Sequence, residues 1–179
     1  MKYILLYLRY DWPLHFVLLL TNWLPDNVKF LRLRGRLCKP FFGSCGHTIN
    51  IGRNIAFHNP SLIHLGNFVH ISYGCVLMAT DHIWIEDEVM FGPYCVLVSG
   101  NHSLINHSFR FGPSKLFPIC IKKGAWIGAH VTVTAGAEIG VGCLVAAGAV
   151  VPNQKFADHT LLGGVPARAI KSLDDDAQP

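Results

Sequence analysis

The chain has 179 residues, 51% hydrophobic and 15% charged, with 15 Lys/Arg against 11 Asp/Glu and a net charge of +4. That composition suits one domain with a real core and excludes a disordered chain. The low charged fraction argues against an ordinary basic nucleic-acid binder, and the charge is lopsided. Residues 1–40 carry Lys2, Arg9, Lys29, Arg32, Arg34, Arg36 and Lys39 against only Asp11 and Asp26, and the remainder is close to neutral.

The opening "MKYILLYLRYDWPLHFVLLLTNWLPDN" is greasy and aromatic but interrupted by Arg9, Asp11, Pro13 and His15. No uncharged run is long enough for a membrane span. No small-residue cleavage site follows Leu20, so a signal peptide is not expected either. With the basic "KFLRLRGRLCK" behind it, residues 1–44 form an amphipathic, basic segment with two readings. One is an interfacial helix on an anionic bilayer, a peripheral membrane contact through residues 1–40. The other is a helical cap packed on the domain or on a sister subunit.

From Ile121 the pattern changes. Ile121, Ile127, Val133, Ile139, Val145 and Val151 recur every six residues, and the residue four further on is always small and apolar: Ala125, Val131, Ala137, Cys143, Ala149. Gly124, Gly136, Gly142 and Gly148 stand where a tight bend needs an unusual φ. The same template fits "LGNFVH", "ISYGCV", "IEDEVM" and "FGPYCV" earlier, with Leu65 and Ile85 twenty residues apart. This implies coils of three six-residue sides, with a two-residue corner insertion in the earlier part. A short period repeated so often indicates an all-β solenoid, in which stacked coils bury a shared interior that no single strand can. Cys75, Cys95 and Cys143 fall in the small apolar slot and read as reduced core residues rather than disulfides or metal ligands. The predicted organisation is residues 1–44, a β-helix over 45–152, and a C-terminal segment with an acidic tail over 153–179.

The rhythm breaks once, at residues 99–118, "SGNHSLINHSFRFGPSKLFP", an excursion that implies a task. No G-x-S-x-G elbow exists and the cysteines sit mostly in core slots, so nucleophilic catalysis is weak. His82, His102 and His107 allow a metal-dependent hydratase, although His102 and His107 share a loop. Direct acyl transfer needs one general base, and a histidine suits it. The absence of a G-x-x-x-x-G-K-[ST] loop gives no support to ATP chemistry.

"VSGNHSLINHSFR", followed by "LFPICIKKGAWIGAH" and "GGVPARAIK", resembles the hexapeptide-repeat acyltransferases, most closely the galactoside and maltose type of sugar O-acetyltransferase and the polysaccharide acetyltransferases. The resemblance implies a left-handed parallel β-helix with a short helical N-terminal segment, one long catalytic loop and a C-terminal tail. It implies an acetyl-CoA-dependent O-acetyltransferase acting on a sugar hydroxyl, without a metal, as a cytoplasmic homotrimer. Carried over residue by residue, His102 is the catalytic base, with Asp81 as the group that orients it. Ser72, Tyr73, His107 and Arg110 would contact the acceptor. Trp126, Ala129, Ala147 and Gly148 would meet the carrier arm, and Arg168 and Lys171 its phosphates. Two departures stand out: "SYG" (72–74) replaces asparagines near the sugar, and Asn153 and Gln154 stand in place of a lysine. The rival class is a non-catalytic β-helix scaffold, which would have no need of His102, Trp126 and the "GVPAR" cation together.

Overall fold

Isoleucine and valine at every sixth position build a three-sided coil. A computed structural model of the chain describes residues 2–173, with side chains from residue 4 onward; the acidic tail Asp174–Asp176 lies outside the described residues. The first side stacks Ser44–Cys45, Ile63–Leu65, Ile83–Ile85, Ile119–Ile121 and Glu138–Ile139. The second stacks Asn50–Ile51, His70–Ile71, Met90–Phe91, Trp126–Ile127 and Leu144–Val145, and the third Ala56–His58, Val76–Met78, Val96–Val98, Thr132–Thr134 and Val150–Val151. All of these pairings are parallel.

Register records the coil length. His70 lies opposite Met90, twenty residues on, and Trp126 opposite Leu144, eighteen on. Met90 lies opposite Trp126, so the step containing residues 99–118 is thirty-six residues long. The longer early coils carry their extra residues at the corner between the third and first sides, where Pro60–Leu62 forms a 3₁₀ turn.

The inward row is fully buried: Ile121, Ile127, Val133, Ile139, Val145 and Val151 have no exposed surface. The small residues between them fill the corners, and Cys75, Cys95 and Cys143 sit there as free thiols. Each buried aliphatic side chain contributes about 1.5–3 kcal/mol. Between the second and third sides every coil turns through a left-handed residue: Asn54, Gly74, Tyr94, His130 and Gly148 all have positive φ. The second side runs on past residue 152. Thr160–Gly164 pairs in parallel with Leu144–Val145 and then antiparallel with Ala167–Ser172, closing that sheet with a hairpin.

The N-terminal segment is helical: α1 (Lys2–Leu6), a wider turn over Tyr7–Asp11 closed by Trp12 N–H on Tyr7 O, α2 (Trp12–Thr21) and α3 (Val28–Cys38). Asn27 caps α3 by accepting the Phe30 N–H at 3.1 Å. Leu14, Leu18 and Thr21, at i, i+4 and i+7, are buried on one face of α2. Gly35 brings α3 onto the first coil so closely that a Cβ there would meet the Ile49 carbonyl. Arg34 is wholly buried, donating to the carbonyls of Thr21, Leu24 and Ile51 and pairing with Asp26 at 3.2 Å. Loss of Arg34 would leave three carbonyls without this donor and Asp26 with only Arg53, so it fastens the cap to the solenoid. Burial also pushes the thiol of Cys38, the last residue of α3, up to about 12, which keeps it protonated and inert.

Candidate active site

The loop leaves the coil at Ser99, a buried hydroxyl. Its Oγ donates to the Asp81 carbonyl at 2.7 Å and accepts the N–H groups of Thr80 and Asp81 at 3.0 and 2.9 Å. This pins the mouth of the loop to the corner of the coil below. Gly100–His102 then pairs antiparallel with Ser114–Leu116, with His102 opposite Ser114. His102 is therefore held on a short ribbon rather than on free coil. Its imidazole is exposed and makes no hydrogen bond among the described residues.

Asp81 lies at the corner beneath, but its carboxylate accepts the His82 N–H at 2.7 Å, and no bond joins it to His102. His107 and its neighbour Asn106 take left-handed φ at the loop tip, and the Arg110 side chain is exposed. Along the loop, Leu104, Phe109, Phe111 and Phe117 are also exposed, Phe111 by 82%.

Ser72 and Tyr73 stand at the corner between the second and third sides. Ser72 Oγ is 3.1 Å from His70 Nε2. The Tyr73 oxygen accepts from Asn54 Nδ2 at 2.6 Å, and its ring meets Tyr94 edge-on, which in turn stacks on His130. Ala129 and the exposed Ala147 and Gly148 follow along the same corner. Trp126, half exposed, projects from the second side in the row His70, Met90, Trp126, Leu144, Leu161. Arg168 and Lys171 lie on the hairpin strand three strands away, about 14 Å at ordinary strand spacing. Arg168 donates to the Ala167 carbonyl and has no acidic partner among the described residues. An aromatic wall, an open corner of small residues and a cation at the far end fit an elongated, anionic carrier. A Cβ built on Gly148 would meet nothing within 4 Å, so that corner is open.

One coil thus divides these residues. The loop replaces the corner between the third and first sides, whereas Trp126 and Arg168 belong to the second side, opposite that corner. Sequence reasoning did not single out three polar groups. Ser99 sets the loop's exit, and only its place as an inward-facing hydroxyl signals it. His70 sits in the Trp126 row, its pKa lowered by burial, and shows only when the loop is excised from the count. His64 lies flat on Trp84, ring centroids 3.7 Å apart, and binds Ser44 and His82 on the outer first side.

A three-sided parallel solenoid of six-residue sides is the architecture of a hexapeptide-repeat protein, and in this chain one histidine-bearing loop interrupts it. The chain is 27% identical over 142 residues to the galactoside O-acetyltransferase of Escherichia coli K12, covering 79% of this chain and 70% of that enzyme. The crystal structure of a hexapeptide-repeat acetyltransferase of Vibrio cholerae complexed with acetyl coenzyme A superposes with a TM-score of 0.79. The two are 29% identical, over 91% of this chain and 86% of that one. A maltose O-acetyltransferase of Clostridium difficile 630 gives a TM-score of 0.81 at 28% identity, over 95% and 89%. No protein-family model matches the chain. In sequence and in fold the chain is similar to the hexapeptide-repeat acetyltransferases, and its parallel solenoid matches their left-handed β-helix.

Proposed function

We propose that this acetyltransferase moves acetyl from acetyl-coenzyme A to a hydroxyl of a sugar, in a cell-surface polysaccharide or its lipid-linked precursor, on the cytoplasmic side of the membrane. The observation that carries the reading is His102, exposed with a free imidazole on a ribbon whose exit Ser99 pins. Acetyl-coenzyme A, bound along Trp126, Ala129, Ala147, Gly148, Arg168 and Lys171, supplies the activated thioester. His102 takes the proton of the acceptor hydroxyl as its oxygen bonds to the acetyl carbon. It returns that proton to the thiolate sulfur as the C–S bond breaks. No acyl-enzyme is needed, and a neighbouring backbone N–H steadies the developing oxyanion. Ser72, Tyr73, His107 and Arg110 are the proposed acceptor contacts, and Asp81 the proposed orienting group, acting through the corner that carries the loop.

The split between the loop and the second side supports a site completed by another copy of the chain, in a homotrimer. The apolar loop residues Leu104, Phe109 and Phe111, bare in one chain, are what such a neighbour would cover.

The test is to incubate the protein with acetyl-coenzyme A and a panel of mono- and oligosaccharides, and to read the products by mass spectrometry. An acceptor gaining one acetyl mass, removed again by mild base, is expected. Acetylation confined to amino sugars, at nitrogen and stable to mild base, would overturn the O-acetyl assignment.

A further inference from the structure

The helical cap has a second face that the solenoid does not use. Opposite Leu14 and Leu18, the residues Trp12, Phe16, Leu19 and Leu20 form a bare stripe on α2 that Trp23 continues in the turn after it, Leu20 exposed by 68% and Trp23 by 77%. Leu8 extends it across the Tyr7–Asp11 turn toward α1. A helix apolar on both faces needs a second apolar environment. No helix of the described residues is long and apolar enough to cross a membrane.

The adjoining face of the cap is cationic. Lys29, Arg32, Arg36 and Lys39 follow one another at i, i+3, i+7 and i+10 along α3 and its end, all exposed, and none pairs with an acid among the described residues. Arg32, Arg36 and Lys39 line a groove of about 390 Å³ against His47 and Thr48. Arg9 ties the two faces together by donating to the Pro40 carbonyl at 3.2 Å.

Charge decides what covers this surface. Beyond residue 40 every acidic side chain among the described residues already has a partner. Glu86, Glu88 and Glu138 pair with Lys122, Lys123 and Lys155, Asp87 holds Asn67, and Asp81 and Asp158 accept backbone N–H groups. Only Asp81, Asp87 and Asp158 there lack a lysine partner, so beyond residue 40 the described surface of a second copy offers these cations single carboxylates rather than an unpaired acidic cluster. An anionic bilayer offers both missing environments: acyl chains for the tryptophan-flanked stripe and phosphates for the cations.

We infer that the N-terminal cap is a membrane-docking surface, with Leu8, Trp12, Phe16, Leu20 and Trp23 seated at the acyl boundary and Lys29, Arg32 and Arg36 on anionic headgroups. This deepens the acceptor reading above, because a docked enzyme meets a glycan carried on a lipid. The docking itself does not depend on catalysis.

The experiment is co-sedimentation of the full chain with vesicles of phosphatidylcholine alone or mixed with phosphatidylglycerol. The comparison is wild type against Arg32→Ala/Arg36→Ala and Leu20→Ala/Trp23→Ala. Circular dichroism melting confirms folding of each variant, and light scattering gives the subunit count. Expected is binding that requires the anionic lipid and weakens as salt rises from about 0.05 to about 0.5 M. Loss of two cations should lower it by about thirtyfold, and the apolar variant should lose most of it. Solution acetyl transfer to a soluble acceptor should be unchanged in both variants, so failure of docking and failure of the catalytic reading are separate results. Equal binding to neutral vesicles, or none to either, would overturn the inference. So would variants that change the subunit count while leaving vesicle binding intact, which would assign the face to a second copy.

Discussion

His64 and His82 meet at 2.8 Å, Nε2 to Nδ1, so one ring lends the proton and the pair cannot carry two charges cheaply. Burial first, and His82 second, lowers the pKa of His64, and burial lowers that of His70. Below about 6.5 the unfolded chain takes up protons that these folded rings refuse, so stability falls as pH drops through that value. Thermal unfolding should therefore occur at a lower temperature at about pH 5.5 than at about pH 7.5. The difference should shrink in a His64→Gln/His70→Gln variant; an undiminished slope would place the sensitivity elsewhere.

The corner between the second and third sides gives a steric prediction. A Cβ on Gly74, whose φ is +71°, would lie 2.6 Å from the Tyr94 ring. Gly74→Ala adds left-handed strain to that clash and should cost about 1–3 kcal/mol in denaturant unfolding. Gly148→Ala, strained alike but with open space around it, should cost less.

Ser99 separates folding from positioning. Ser99→Ala leaves the N–H groups of Thr80 and Asp81 without their acceptor, a loss of about 1–3 kcal/mol. If the hydroxyl also aims the His102 ribbon, kcat should fall while the affinity for coenzyme A holds, and Ser99→Thr should restore part of it. A stability loss with unchanged kcat would make Ser99 structural only.

Carrier binding should split along the second side. Arg168→Ala removes a charge-assisted contact worth about 1.5–3 kcal/mol, a loss of about 10- to 100-fold in coenzyme A affinity that diminishes at high salt. Trp126→Ala should weaken binding without that salt dependence. Isothermal titration at two ionic strengths distinguishes the two.

The solenoid was legible because a six-residue period fixes every inward position, and Ile121 through Val151 fall into the core without a slip. The excursion at 99–118 was legible for the same reason, as the one interruption. Contacts that depend on stacking were hidden. Ser99 reaches Asp81 and His64 reaches His82 across coils, and neither pair is visible until the register is known. Asp81 shows the limit from the other side. Its position suggested an orienting group for His102, and the structure adds a local bond that the sequence did not reveal, the His82 N–H on Asp81 Oδ1. The N-terminal segment admitted two readings because amphipathicity does not say how many faces are covered. Leu14 and Leu18 pack on the coil, as a cap does, and Trp12 and Trp23 remain outside.

The most direct measurement is thiol release from acetyl-coenzyme A, in the presence of an accepted glycan, by wild type and His102→Ala. Loss of about 10²–10⁴-fold in kcat with coenzyme A binding retained is the predicted result. Turnover by His102→Ala at the wild-type rate would contradict the assignment of the base, and with it the account of the loop.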